Sequence, residues 1–161
     1  MRERKSARLL VVSPAGRILL FSFSHDQEAL RGTSYWATPG GALEDGETFE
    51  AAARRELYEE TGIEILSVGL PVGYRDFPMC MPDGERVEAR EQYFCVRAQS
   101  ENLNRSRWTA QEVEVIRDHH WWTVSELQST EERVWPERLL DMLHEAGVIT
   151  AGPLTKQSTV R

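Results

Sequence analysis

Residues 40–65 constrain the local structure more strongly than any other part of the chain. They read GGALEDGETFEAAARRELYEETGIEI. Thr48 is a suitable N-cap residue, and Gly62 stands where a helix often ends in a left-handed glycine. These signals predict a helix over residues 48–61. The Pro-Gly-Gly sequence at 39–41 predicts a turn whose backbone can approach other groups without a Cβ clash.

The predicted helix carries an unusual cluster of negative charge. Glu56, Glu59 and Glu60 fall within an arc of about 100°, so they share one face. Because the helix C-terminus disfavours anions, the cluster costs local stability unless a cation compensates it, and Mg²⁺ prefers oxygen ligands of this kind. Arg55 can brace Glu59 from four residues away, and Glu47 can partner Arg55. The charge pattern alone is equally consistent with a solvated acidic face.

Length and composition narrow the remaining possibilities. The chain has 161 residues, 40% of them hydrophobic, which predicts one domain with a real core. The formal net charge of −7 argues against binding of extended nucleic acid but allows a small basic pocket for a phosphorylated molecule. No apolar run approaches the roughly 18 residues of a membrane span. Cys80 and Cys95 lack metal-binding spacing, so two reduced thiols and a cytoplasmic location are expected.

Strand patterns dominate the rest of the chain. Residues 7–12 and 17–23 flank the turn sequence SPAG and predict a β-hairpin. Residues 24–35 and 101–110 are predicted loops, and residues 112–122 are predicted to form a strand. Further predicted elements are strand and turn over 63–76, a long strand after the Asp-Gly at 83–84, a short helix from the capping box Thr123–Glu126, and a last helix opening at Pro136.

This order of elements predicts a mixed β-sheet packed by helices, an α/β or α+β fold. One domain is expected over residues 1–149, followed by a loose tail at 150–161. Trp121 and Trp122 adjoin in a predicted strand and must point to opposite faces, so one is expected in the core and the other partly exposed.

The whole segment resembles a known motif, the Nudix box, G-x5-E-x7-R-E-U-x-E-E-x-G-U, where U is aliphatic. Every fixed position is filled and the spacing is intact. The matching residues are Gly41, Glu47, Arg55, Glu56, Leu57, Glu59, Glu60, Gly62 and Ile63. The resemblance implies the Nudix fold, an α/β/α sandwich with a mixed sheet flanked by helices.

The resemblance also implies an activity. Most Nudix proteins hydrolyse a nucleoside diphosphate linked to another moiety, using Mg²⁺ or Mn²⁺ to activate a water molecule. By position, the metal ligands would be Glu56, Glu59, Glu60 and the carbonyl of Gly41, and the supporting residues would be Glu47 and Arg55. The general base stays open: the candidates are Glu56 and Glu60 in the box, Glu112 and the slightly favoured Glu114 near a later tryptophan pair, and, further, Glu88 and Glu91.

Substrate contacts are predicted from residue type. Tyr35, Trp36 and Phe77 lie in or near predicted loops, where a ring can stack on a base, although Trp36 is also a candidate core residue. Arg75 is a candidate contact to phosphate or ribose. Pro78 follows the box at a distance found in some relatives that cleave ADP-ribose, which favours a substrate of the ADP-ribose or nucleotide-sugar type.

Alternative functions stay open on the sequence. One is a pyrophosphatase acting on nucleoside triphosphates, and another is isomerase chemistry on an isoprenyl diphosphate. A third is a Nudix domain that binds a ligand without catalysis, which the complete set of box carboxylates disfavours. A homodimer is compatible with the resemblance.

Overall fold

The computed structural model describes residues 1–24 and 34–149. In that part of the chain, the strands are β1 (Arg2–Val12), β2 (Ile18–Ser24), β3 (Ser34–Ala37), β4 (Gly40–Ala42), β5 (Gly73–Cys80), β6 (Arg86–Arg97), β7 (Ile116–Trp122) and β8 (Val134–Trp135). The helices are α1 (Phe49–Thr61), α2 (Ala110–Val115), α3 (Val124–Ser129) and α4 (Leu139–Glu145). The predicted tail at 150–161 and most of the predicted loop at 24–35 lie outside the described residues.

The strands form one mixed β-sheet. Its main order is β5-β6-β1-β2-β3-β8, with β4 on β1 and β7 on β2. The β1–β6 and β3–β8 pairs are parallel, and the other pairs are antiparallel. β1 and β2 pair beside their turn, at Val12 and Ile18. Further along, β1 pairs with β4, which places the glycine-rich strand against the first half of β1.

Both faces of the central strands are buried. Along β1, Leu9 and Val11 point into a core that includes Leu57 of α1, whereas Leu10 and Val12 point into a core that includes residues of α3 and α4. This alternation follows the two-residue period of a strand. The architecture is therefore an α/β/α sandwich with a mixed sheet flanked by helices, and the predicted fold class is confirmed.

The paired tryptophans show the consequence of covering both faces. Trp121 lies in the core beneath α1, and Trp122 lies in the opposite core. Their exposed fractions are 7% and 5%. The prediction that one of them would be partly exposed is wrong, because helices cover the sheet on both sides.

Helix α1 begins and ends as predicted. The hydroxyl of Thr48 accepts a hydrogen bond from the amide of Ala51 at 3.1 Å. Gly62 closes the helix with φ 82°, and its amide donates to the carbonyl of Tyr58. The two residues that the sequence indicated therefore satisfy terminal groups that a helix leaves unpaired.

Residues 112–122 are not one strand, as predicted, but a helix followed by a strand. Thr109 and Glu112 form a capping box, in which each side chain accepts a hydrogen bond from the other residue's amide. These local bonds start α2 and outweigh the β-forming sequence that comes after it. β7 begins only at Ile116.

Other boundaries also differ from the prediction. Tyr35 and Trp36 lie in β3 rather than in a loop, and Phe77 lies in β5. β5 starts at Gly73, so the apolar residues before it within 63–76 do not form a strand in the described structure. The last helix begins at Leu139, three residues after the predicted start.

Cys80 and Cys95 are free thiols. Within the described residues, no helix is long and apolar enough to cross a membrane.

Candidate active site

The Gly40–Gly41 backbone lies between β1 and the acidic face of α1. Gly40 has φ 141°, and a Cβ there would stand 2.8 Å from Cα of Arg8. A Cβ at Gly41 would stand 2.8 Å from the carboxyl carbon of Glu56. Backbone atoms therefore exclude a side chain at Gly40, whereas a side chain at Gly41 would displace the Glu56 carboxylate, so the predicted close approach of this turn is directed at a box carboxylate.

Arg55 is the centre of the hydrogen bonds around the box. Its Nε and Nη2 donate to the two carboxylate oxygens of Glu47 at 2.8 and 2.9 Å. Its Nη1 donates to Glu56 at 3.0 Å and to Glu59 at 3.1 Å. Nη2 also donates to the carbonyl of Ala42 at 3.1 Å, which ties the helix to β4. Arg55, which pairs with the other predicted supporting residue Glu47, is thus in contact with two of the three glutamates predicted as metal ligands.

Glu56 and Glu60 are buried carboxylates. Burial raises the pKa of Glu56 to about 7, opposed by Arg55 and reinforced by the charges of Glu59 and Glu112. Burial and the neighbouring Glu56 also raise the pKa of Glu60 well above its ordinary value, although the amide of Gly40 donates to it at 2.9 Å. Desolvated, mutually repelling carboxylates of this kind are typical of functional sites.

A later segment, residues 104–112, brings a fourth carboxylate to the box. The amide of Asn104 donates to the carbonyl of Thr61 at 3.0 Å, and the indole of Trp108 donates to the carbonyl of Glu60 at 2.9 Å. Both acceptors belong to the last turn of α1, whose carbonyls lack partners within the helix. The segment ends at Glu112, whose carboxyl group lies close enough to the box to help raise the pKa of both Glu56 and Glu60.

These carboxylates fit a hard divalent cation in their chemistry. Within residues 1–24 and 34–149, no three metal-binding side chains converge on one point as they stand, and Arg55 engages both Glu56 and Glu59. The available donors are nevertheless oxygen atoms. Burial of the Glu56 and Glu60 carboxylates costs stability, and a bound cation would offset that cost. The Glu56 carboxylate occupies the space that a Cβ at Gly41 would fill, so it lies directly beside the Gly41 backbone.

A basic and aromatic cavity of about 360 Å³ adjoins the box. Arg4 and Arg8 line it from β1, and they interact electrostatically with Glu56 and Glu60 respectively. Away from the box, the guanidinium of Arg75 lies over two rings, at 4.0 Å from the centre of Phe77 and 4.9 Å from that of Trp135. Further residues that line the cavity include Tyr35, Glu91 and Tyr93. The cavity therefore combines cationic and aromatic contacts next to the buried carboxylates.

Comparison with known proteins decides the family. The family model of the NUDIX domain matches residues 2–143, which is most of the chain. The chain belongs to the NUDIX family. This confirms the resemblance inferred from the box, and it agrees with the sandwich fold described above.

Individual relatives match the Nudix chain over shorter stretches. It is 28% identical over 102 residues to the NAD-capped RNA hydrolase NudC of Actinobacillus succinogenes, a match covering 62% of this chain and 38% of that one. It is 40% identical over 68 residues to the nucleoside triphosphatase NudI of an Enterobacter species, covering 41% of this chain and 46% of that one. The chain thus spans less than half the length of these two curated relatives.

A solved structure supports the fold over almost the full length. The MutT NUDIX hydrolase from Burkholderia pseudomallei matches with a TM-score of 0.63 and 21% identity, over 90% of this chain and 98% of that one. At this identity the likeness concerns the fold alone.

The structure groups most of the predicted site residues of the Nudix chain. The box residues and Glu112 lie together, whereas the side chain of Glu114 lies outside the described part. Tyr35, Phe77 and Arg75 share the cavity. Trp36 is the exception: it packs edge-on against Trp122, with ring centres 5.2 Å apart, at the second core.

Arg4, Arg8 and Trp135 are among the cavity residues that had no predicted role in substrate binding. The arginines come before the apolar half of β1, where the sequence shows only a basic strand end. Trp135 lies in the two-residue strand β8, next to the proline that signalled a helix. The signal for these residues in the sequence is weak. Alternation along a strand shows which residues share a face, but the strands across the cavity are distant in sequence, so the residues that meet there cannot be identified.

Proposed function

We propose that this Nudix protein is a divalent-metal-dependent pyrophosphohydrolase that cleaves the diphosphate of a nucleoside diphosphate linked to another moiety. One observation carries the proposal: the buried carboxylates of the box adjoin a cavity whose near side is cationic and whose far side is aromatic. A diphosphate joined to a flat, hydrogen-bonding group matches that order of contacts.

The metal ligands in this proposal are Glu56, Glu59, Glu60 and the carbonyl of Gly41. Bound there, Mg²⁺ or Mn²⁺ would neutralise charge on the diphosphate and make a water molecule more acidic. Arg55 and Glu47 hold the ligating helix against β4, as their hydrogen bonds indicate. Release of Glu56 and Glu59 by Arg55 would free their oxygens for the cation.

Arg4 and Arg8 bind the phosphates. Arg4 donates to the hydroxyl of Ser6 at 2.9 Å, and no carboxylate among the described residues forms an ion pair with it. Burial, together with neighbouring Arg8, lowers the pKa of Arg4 below its ordinary value. An incompletely paired, half-buried guanidinium gains from an anionic ligand, and a diphosphate would supply it.

Glu112 serves as the general base. Its carboxyl group lies close enough to Glu56 and Glu60 to raise the pKa of both, but Glu112 is not a box residue, so it can accept a proton while the box residues hold the cation. The water oxygen forms a bond to one phosphorus, and the bridging oxygen leaves with the other phosphate. The proton of the water passes to Glu112. Gln at this position keeps the capping acceptor and removes the base, so Glu112→Gln is expected to lower kcat at least tenfold.

The substrate class is proposed as ADP-ribose or a nucleotide sugar. The aromatic groups Tyr35, Phe77 and Trp135 provide stacking surfaces for a base in the cavity. Cleavage of nucleoside triphosphates is the alternative, since the relative NudI is named a nucleoside triphosphatase. The two classes differ in the group attached to the second phosphate, a sugar in the first class and a third phosphate in the alternative.

Phosphorus NMR of the purified protein in Mg²⁺ tests the proposal. The panel would hold ADP-ribose, nucleotide sugars, dinucleotides, nucleoside triphosphates and isoprenyl diphosphates. We expect cleavage of the diphosphate-linked class to two phosphomonoesters, absent in Glu60→Gln. Release of inorganic pyrophosphate from triphosphates alone would favour the alternative. Ligand-induced thermal stabilisation without cleavage of any compound would identify a binding module and overturn the proposal.

A further inference from the structure

Glu91 is a buried carboxylate in the cavity, outside the Nudix box. It lies in β6, and its side chain is 7% exposed. Tyr93 donates its hydroxyl proton to Oε1 of Glu91 at 2.6 Å. Arg8 and Arg75 approach the same carboxylate from different strands, each at 3.4 Å. Glu91 therefore separates the two arginines within the cavity.

The contacts with the arginines are loose for a buried ion pair. Charge-assisted hydrogen bonds between a guanidinium and a carboxylate are typically about 2.7–2.9 Å long. At 3.4 Å, both guanidinium groups can turn part of their donors to a ligand. A carboxylate also has about four acceptor positions, so Glu91 retains acceptor capacity beyond its three partners.

The position of Glu91 orders the contacts that a ligand would meet. On one side, Arg8 leads to Glu60 and the box. On the other side, Arg75 leads to the rings of Phe77 and Trp135. A ligand entering from the box would therefore meet Arg8 first, then Glu91, then Arg75 with its two aromatic rings.

A carboxylate in this middle position repels phosphate and accepts hydrogen bonds. The group that belongs there is neutral, carries donors and connects a phosphate to a ring. The sugar of a nucleoside has these properties, since its hydroxyls lie between the phosphate and the base. We propose that Glu91 determines specificity by accepting a hydrogen bond from a ribose hydroxyl of the substrate nucleoside.

This inference rests on the proposed function for the orientation of the ligand, and it adds a preference for ribonucleotides over deoxyribonucleotides. A purely structural counter-ion for Arg8 and Arg75 would show no such preference. Loss of the Glu91 charge would then weaken the binding of every nucleotide to the same degree, or strengthen the binding of every nucleotide by removing repulsion.

Isothermal titration calorimetry in Mg²⁺ with ADP, 2′-deoxy-ADP and 3′-deoxy-ADP tests the inference. We expect the wild type to bind ADP about tenfold more tightly than at least one deoxy analogue, because a hydrogen bond to a charged group is lost. In Glu91→Gln the ratio is expected to fall to about twofold or less. Asp76→Asn is the matched control, since this exposed carboxylate in β5 pairs with Arg90 outside the cavity and its loss removes the same charge.

Two results would overturn the inference: equal affinities for ADP and both analogues in the wild type, or an unchanged ratio in Glu91→Gln. The comparison of ADP with its deoxy analogues in the wild type needs no variant. Equal affinities would therefore overturn the inference even where Glu91→Gln fails to fold. The phosphorus NMR panel separates this failure from that of the proposed function. Hydrolysis without ribose discrimination rejects the role of Glu91 alone, whereas discrimination without hydrolysis rejects the hydrolase and retains the ribose contact.

Discussion

At the scale of single residues, the site depends on the absence of a side chain at Gly41 as much as on the side chains that are present. Gly41 has an ordinary backbone conformation, so its requirement comes from space and not from φ. A methyl group there would overlap sterically with the Glu56 carboxylate. The carboxylate would have to move away from the other box residues.

Gly41→Ala is therefore expected to lower kcat at least tenfold while the protein stays folded at room temperature. Steady-state hydrolysis and circular dichroism would measure the two effects. Gly46→Ala is the control, because Gly46 has φ 78° and open space around it. That variant should lose some stability through backbone strain but keep its turnover. Equal turnover in the two variants would contradict the assigned contact.

Glu56 gives the metal-free protein a defined pH dependence. The pKa of Glu56 is about 7 in the folded state, above the ordinary value of about 4.3 for a glutamate. The folded state thus binds the proton more tightly than the unfolded state, so stability rises as pH falls through 7. Between pH 8 and pH 6, this group should contribute about 1 kcal/mol.

Chemical denaturation in EDTA at pH 8 and pH 6 measures this contribution. Groups whose pKa is lowered on folding, such as Glu47, act in the opposite direction at lower pH. The informative quantity is therefore the difference between the wild type and Glu56→Gln. The gain on acidification should be smaller in the variant, and an equal gain would show that Glu56 does not titrate in this range.

The sequence predicted the box residues as one group, but of the cavity it indicated only Tyr35, Phe77 and Arg75 as separate candidates. The box positions are fixed by spacing within one helix and its flanking turns, which a sequence shows directly. Arg8 and Glu91 meet across parallel strands that are 83 positions apart. Their pairing depends on sheet register, so each was readable only as an isolated charge.

At the scale of elements, the least predictable part was the segment that carries Glu112. Its sequence, EVEVI, favours a strand, yet the preceding capping box starts α2. The segment is fixed to α1 by the bonds of Asn104 and Trp108 to the carbonyls of the last helical turn. These are long-range contacts that no local pattern indicates.

Trp108→Phe tests this attachment. The change removes the indole donor to the carbonyl of Glu60 and keeps an aromatic ring near Phe21. We expect a loss of about 1 kcal/mol in the free energy of unfolding, and a several-fold lower kcat with little change in KM, because Glu112 is less well placed.

Trp121→Phe is the matched control. It removes a similar indole hydrogen bond from a tryptophan of the same core, but the acceptor is the carbonyl of Glu101, outside the box. Its stability should fall by a comparable amount while kcat is retained. A proportional loss of kcat in both variants would mean that residue 108 acts through general stability alone.

At the scale of the whole molecule, the fold holds together a cluster of carboxylates whose burial and mutual repulsion destabilise the folded state. The double-sided core and the attached segment hold Glu56 and Glu60 in a buried position despite their repulsion. A cation bound there would offset the repulsion between these carboxylates. The fold class was predictable because alternation, caps and the box agreed, whereas exact strand bounds depended on packing.

Mg²⁺ is therefore expected to raise the melting temperature of the wild type more than that of Glu60→Gln. Binding to the folded state alone stabilises it by about 2.7 kcal/mol at a hundredfold excess over Kd. Differential scanning calorimetry with and without Mg²⁺ measures the shift. Equal shifts in the two proteins would place the bound cation elsewhere.

The most direct test of the hydrolase assignment is hydrolysis of ADP-ribose in ¹⁸O-labelled water, followed by phosphorus NMR. Wild type and Glu50→Gln, which removes an exposed carboxylate from the first turn of the same helix, should both give labelled phosphomonoester in Mg²⁺. Glu60→Gln should be at least a hundredfold slower. Equal rates in Glu60→Gln and Glu50→Gln, or no labelled product from the wild type, would contradict the proposed role of the box in this protein.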